Sequence, residues 1–149
     1  MKKLKTMFAA VAILLATSAF ASPGPEKISE RVKAEFEKIF TGALNVNWKK
    51  KDDFYFASFK LNEKEVSAAY NESGELLGVS RVIETSQLPL NVSLAIASSY
   101  KDYAVANNVS EIVFDGQTNY YVNVETSQKV LKLKCNSYGE ITVERKTKK

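Results

Sequence analysis

The residues able to do chemistry are few. The chain has 149 residues, no histidine and a single cysteine, Cys135. Without an imidazole, the Ser-His-Asp and Cys-His nucleophile systems are excluded, as is any histidine-bearing zinc site. Acid-base work would fall to carboxylates such as Glu111, Asp115 or Glu125, whose spacing singles out no pair. Asp52 and Asp53 are adjacent, but they stand in the lysine-rich stretch Lys49 to Asp53 and read as solvated turn charge. Cys135 ends the alternation Leu131-Lys132-Leu133-Lys134-Cys135, so it shares a face with two leucines and reads as a small buried hydrophobe. A lone cysteine also leaves no intrachain disulfide. These counts point to a chain with no catalytic residues, no metal ligands and no cofactor, whose chemistry is recognition by side-chain surface.

The elements that would position such a surface begin after a leader. Lys2, Lys3 and Lys5 precede an apolar run from Met7 to Phe20, and Ala19-Phe20-Ala21 supplies small residues around a cleavage point before Ser22. That is the pattern of a secretory signal peptide over residues 1–21, and the run is shorter than the ~20 apolar residues a spanning helix needs. Ser22 stands where a lipoprotein would need Cys, so no stable membrane anchor is expected, and the location is periplasmic or secreted. Cleavage leaves residues 22–149 as one domain and removes three lysines with no acidic residue. The formal net charge thereby falls from +4 to +1. The remaining basic run, Arg145, Lys146, Lys148 and Lys149, reads as a solvated, frayed end, and a nucleic-acid partner loses its main support.

Two amphipathic helices and two sets of strands are expected. Ile28, Val32, Phe36, Ile39 and Phe40 form one apolar stripe over Pro25 to Phe40. Val92, Ile96 and Tyr100 follow 60 residues after Val32, Phe36 and Phe40, with Leu90, Leu94 and Tyr103 widening the face of a second helix from Pro89 to about Tyr103. Between them, Val46-Trp48, Phe54-Leu61, Val66-Tyr70 and Glu75-Ile83 read as an antiparallel meander, with turns at Lys49-Asp53, Leu61-Glu65 and Asn71-Gly74. Tyr120, Val122 and Val124 lie 65 residues after Tyr55, Ala57 and Phe59, and Asn136-Ser-Tyr-Gly139 lies 65 after Asn71-Glu-Ser-Gly74. The change from a 60-residue to a 65-residue offset places an insertion within Ala104 to Val109. The expected fold is therefore α+β, a tandem repeat of one helix on a four-stranded antiparallel meander, spanning about 25–84 and 87–145, with the two repeats forming one domain.

The order Val46-x-Trp48, Tyr55-x-Ala57-x-Phe59, Tyr70-Asn71-x-x-Gly74, Leu88-Pro89, Tyr121 and Gly139 resembles the PepSY-like family, also called beta-lactamase-inhibitor-like proteins, over nearly all of residues 26–145. The resemblance implies an exported bacterial binding or inhibitory module whose repeats offer a concave sheet face.

If Tyr55, Ala57 and Phe59 face the helices, then Phe54 and Phe56 point away, and Tyr121 is the counterpart of Phe56 in the second half. Phe54, Phe56 and Tyr121 are the candidate partner-binding residues, the partner being another protein or peptide, for example a periplasmic or extracellular enzyme that is inhibited. Cover by loops or by a second copy is the alternative for these rings. A small-molecule or lipid-like ligand carrier is the alternative function. It would need a cavity between sheet and helices, where Phe36, Phe40, Trp48 and Phe59 are expected to fill the space. Asn71, Asn91 and Asn108 each open an Asn-x-Ser triplet, which matters only in a eukaryotic secretory host.

Overall fold

The computed structural model describes residues 27–149; the signal-peptide assignment and the start of the first helix at Pro25 lie outside the described residues. In chain order the elements are α1 (Glu30–Ile39), β1 (Leu44–Lys51), β2 (Phe54–Leu61), β3 (Lys64–Asn71) and β4 (Leu76–Glu84). There follow a 3-10 turn (Thr85–Gln87), α2 (Leu90–Ser99), β5 (Ala104–Phe114), β6 (Gln117–Glu125), β7 (Lys129–Asn136) and β8 (Ile141–Lys148).

The strands form one eight-stranded sheet in the order β1-β2-β3-β4-β5-β6-β7-β8. This corrects the expected fold class: the sheet is a single one of eight strands with two short helices, and not two repeats that each own a four-stranded meander. By compactness the chain divides into two units, Met1–Arg81 and Val82–Lys149.

In the first unit, Ile28, Val32 and Phe36 pack against Tyr55, Ala57, Phe59, Val66, Ala68 and Tyr70. Aromatic rings dominate this core. Phe36 lies edge-on to Trp48 at 5.1 Å and to Phe59 at 4.9 Å between centroids. Ile39, expected in the stripe, is exposed. Phe40 leaves the helix at φ −107° and ψ 58° and turns its ring back to 4.8 Å from Phe59, packing half-buried against this core. The lysines Lys49, Lys50 and Lys51, expected in a turn, continue β1. Their long stems can lie along a strand while the charge stays wet, and Lys50 Nζ sits 5.2 Å from the Tyr55 ring centroid. The loop shrinks to Asp52–Asp53, with Lys51 opposite Phe54.

The next hairpin is as tight. Leu61 pairs with Lys64, and Asn62 and Glu63 both hold positive φ, 49° and 65°. Two positive-φ residues are what a two-residue hairpin turn of the twist-matched kind demands, and Asn-Gly is its preferred sequence. Glu63 carries the penalty of a side chain in that region. Glu63→Gly should therefore raise stability by about 0.5–1 kcal/mol after the entropy of glycine in the unfolded chain is subtracted, readable as a higher urea midpoint at unchanged m-value.

The strands flanking each later turn explain why their alternation is imperfect. Ala69 pairs with Gly78 but Tyr70 with Leu76, so Leu77 is an extra residue in β4, a bulge that slips the pattern by one. In β8 Lys132 pairs with Arg145 but Leu133 with Val143, and Glu144 is the extra residue. Between Val105 and Val109, β5 has a further register shift.

In the second unit Val92 and Ile96 of α2 pack on Val109, Tyr120, Val122, Val124, Leu131, Leu133 and Cys135. Cys135 is fully buried, as its alternation implies. Leu90 and Leu94, expected to widen the apolar face, are 74% and 59% exposed. The helix ends at Ser99, so Tyr100 and Tyr103 reach the core from the turn beyond it, 5.4 Å apart. The basic end is no frayed tail: β8 runs to Lys148, and Lys149 Nζ pairs with Glu125 at 3.0 Å.

The turns Asn71–Glu75 and Asn136–Glu140 are built alike. Asn71 Oδ1 accepts from the backbone N–H of Ser73 and Glu75 at 3.1 and 3.0 Å, and Asn136 Oδ1 accepts from those of Tyr138 and Glu140, both at 3.0 Å. Gly74 and Gly139 hold φ of +82° and +90°. A Cβ on Gly139 would stand 3.0 Å from the Asn91 carbonyl oxygen, and one on Gly74 would stand 3.2 Å from Glu35 Cγ. Each turn is thus seated against a helix, and Asn91 Nδ2 donates to the Ser137 carbonyl at 2.6 Å.

Candidate functional site

Alternation along β2 and β6 puts Phe54, Phe56 and Tyr121 on the side of the sheet away from the helices, because Tyr55, Ala57 and Phe59, and Tyr120, Val122 and Val124, belong to the helix-side cores. Their exposure differs from expectation. Phe56 and Tyr121 are only 5% and 6% exposed, while Phe54 is half-buried. In the first unit Phe56 stands in one register row with Lys49, Ala69 and Gly78. Phe56 is thus buried on this side without belonging to the aromatic core on the helix side. The adjoining row is Asn47, Ser58, Ser67 and Ser80. The Ser58 and Ser67 hydroxyls lie 3.3 Å apart, either able to donate, and Ser67 and Ser80 are buried.

In the second unit Tyr121 sits between Ser110 on β5 and Lys134 on β7. Lys132 Nζ lies 5.7 Å from the Tyr121 ring centroid, close enough for a cation–π contribution. Burial, and then the Glu144 carboxylate, pushes the Tyr121 hydroxyl above the ordinary tyrosine range. Burial, and then the neighbouring Arg145, holds Lys132 below the ordinary lysine range, with Glu144 opposing. Ile112, paired with Asn119 on this same side, is fully buried. In the second unit this side therefore sets a sunken ring beside charges of both signs.

Asp52, Asp53 and Asp115 occupy exposed turns, and Glu125 is held by Lys149. Burial pushes the Cys135 thiol up to about 11, far from a reactive thiolate. Among the described residues no group of three or more Cys, Asp or Glu side chains could hold a metal ion, and no helix is long and apolar enough to cross a membrane.

One feature was missed by reading Phe36, Phe40 and Trp48 as space-fillers. They line a pocket of 280 Å³ at the C-terminal end of α1. Gly42 lies in its wall, and a glycine between two aromatic stretches is a signal in the sequence at this place.

No family model matches the chain, and no curated protein matches it. Solved structures do. A candidate periplasmic protein from Bacteroides eggerthii superposes with a TM-score of 0.70 at 22% identity, over 83% of this chain and 90% of that one. A DUF2874 family protein from Bacteroides uniformis gives 0.70 at 21%, over 82% and 90%. A BLIP-like protein from Bacteroides fragilis gives 0.69 at 20%, over 84% and 89%. The chain has the fold of these Bacteroides proteins.

Proposed function

We propose that the protein is an exported, non-catalytic binding module of the periplasm that holds another protein or peptide against the sheet face turned away from the helices. The observation that carries this reading is the surround of Tyr121: a rigid aromatic ring on a hydrogen-bonded strand, with Lys132 over it and Glu144 and Arg145 alongside. Aromatic centres with charged surrounds are the anatomy of protein interfaces. Export is supported by the leader pattern over residues 1–21 and by the fold shared with a candidate periplasmic protein. The PepSY-like resemblance and the BLIP-like neighbour support the finer reading, inhibition of an enzyme such as a β-lactamase.

The test starts from the protein immobilised in periplasmic extract, with the captured protein identified and its affinity measured in purified form. Phe54→Ala, which removes the half-buried ring of this face, should cost on the order of 2 kcal/mol of affinity, and Tyr121→Ala, whose ring is 6% exposed, less, with folding checked by circular dichroism. Unchanged affinity in both folded variants would sink the reading. Stoichiometric inhibition of the captured enzyme, lost in the same variants, would establish the inhibitor role. The carrier reading is favoured by the pocket at the end of α1, but 280 Å³ falls below the ~300–1,000 Å³ of drug-sized ligand sites, so its occupant is small.

A further inference from the structure

We infer that the pocket at the C-terminal end of α1 binds a small organic cation of the methylated-ammonium class. Three independent features converge on positive charge. Its walls are the rings of Phe36, Phe40 and Trp48, with Val46 completing the apolar side, and aromatic surfaces attract cations that carry little hydration. The helix closes there, with the Phe40 N–H donating to the Phe36 carbonyl at 2.9 Å, so the negative end of the helix dipole lies at the pocket edge.

The third feature is Glu37. It lines the pocket, is exposed, and has no ion pair among the described residues. The lysines nearest it along the helix are engaged elsewhere, Lys33 with Glu30 at 3.2 Å and Lys38 with Glu35 at 2.7 Å. Lys33 also lines the pocket, and its pairing with Glu30 offsets its charge there. A volume of 280 Å³ admits a trimethylammonium head and excludes a long acyl chain. The inference does not depend on the proposed partner-binding residues, none of which lines the pocket.

Trp48 is the only tryptophan, so its fluorescence reports on this pocket alone. Choline chloride titrated into the purified protein, against sodium chloride at equal ionic strength, should shift Trp48 emission saturably. Its neutral carbon isostere, 3,3-dimethylbutan-1-ol, should bind at least tenfold more weakly. Glu37→Gln should weaken choline about fivefold to tenfold, and Phe40→Leu, which keeps apolar volume but removes the ring, should do likewise. If Phe40→Leu fails to fold, the exposed Glu37→Gln variant decides alone. Equal binding of the neutral isostere, no loss in Glu37→Gln, or no saturable shift beyond the sodium chloride control would each overturn the inference.

Discussion

Phe59→Ala should lower the free energy of unfolding by about 3–5 kcal/mol, the range for deleting a buried phenylalanine side chain. Phe59 is almost fully buried and holds Phe36 and Phe40 at 4.9 and 4.8 Å. Its loss removes two aromatic contacts, each worth about 0.5–1.5 kcal/mol beyond burial, and leaves a hole bounded by side chains on both α1 and the sheet. Phe56→Ala, three residues away on the other face, should cost less, about 2 kcal/mol. Its row neighbours are Lys49, Ala69 and Gly78, and none is aromatic. Guanidinium denaturation of the two variants side by side measures the contrast. A larger loss for Phe56→Ala would mean that the face away from the helices holds the dominant packing of this unit.

Stability should fall steeply in alkali. Burial, and then the Glu35 carboxylate, pushes the Tyr70 hydroxyl up to about 12 from 10.0. Burial alone pushes the Cys135 thiol up to about 11 from 9.0. Both values are raised in the folded state, so the unfolded chain releases these protons first and unfolding is favoured as pH rises. The stability is fully present below pH 9, is lost first through Cys135 between 9 and 11, and then through Tyr70 between 10 and 12. Each pH unit of full separation costs about 1.4 kcal/mol per group, so the loss reaches a few kcal/mol near pH 11. Tyr70 is fully buried and its hydroxyl has no hydrogen-bond partner among the described residues, so no partner stabilises its anion. Denaturation midpoints at pH 8, 10 and 11 check this. Cys135→Ala should flatten the early part of the decline and leave the later part.

How much of this was legible in the sequence depended on the range of the interactions. The helices around Val32 and Phe36 and around Val92 and Ile96, the side of the sheet that takes Tyr55 and Tyr120, the buried thiol and the Asn-x-x-Gly turns are all set by neighbours within a few residues. Periodicity shows such neighbours. The union of eight strands in one sheet is a long-range pairing that no local pattern encodes. Composition misled at Lys49 to Lys51, where polar side chains suggested a turn and backbone pairing with Phe54, Tyr55 and Phe56 made a strand.

The bulge at Leu77 hid its own alternation. At the candidate site the direction of Phe54, Phe56 and Tyr121 was legible from the period of two, but their depth was not. Depth depends on long-range neighbours, which a period of two along one strand does not show. The pocket escaped because bulky rings suggest filling, whereas Phe40, turned off the end of α1, leaves a hollow beside Trp48.

The two outermost strands carry a final consequence. Among the described residues β1 and β8 have no outer neighbour in the sheet order, and such edges are templates on which a second chain can polymerise. β1 presents Lys49, Lys50 and Lys51, and β8 presents Arg145, Lys146 and Lys148. A chain adding parallel and in register to either strand would bring cation against cation along the new ladder, and in any register it would bring the charged side chains of these strands against its own. The lysines that composition assigns to turns and tails thus act as gatekeepers against fibril growth.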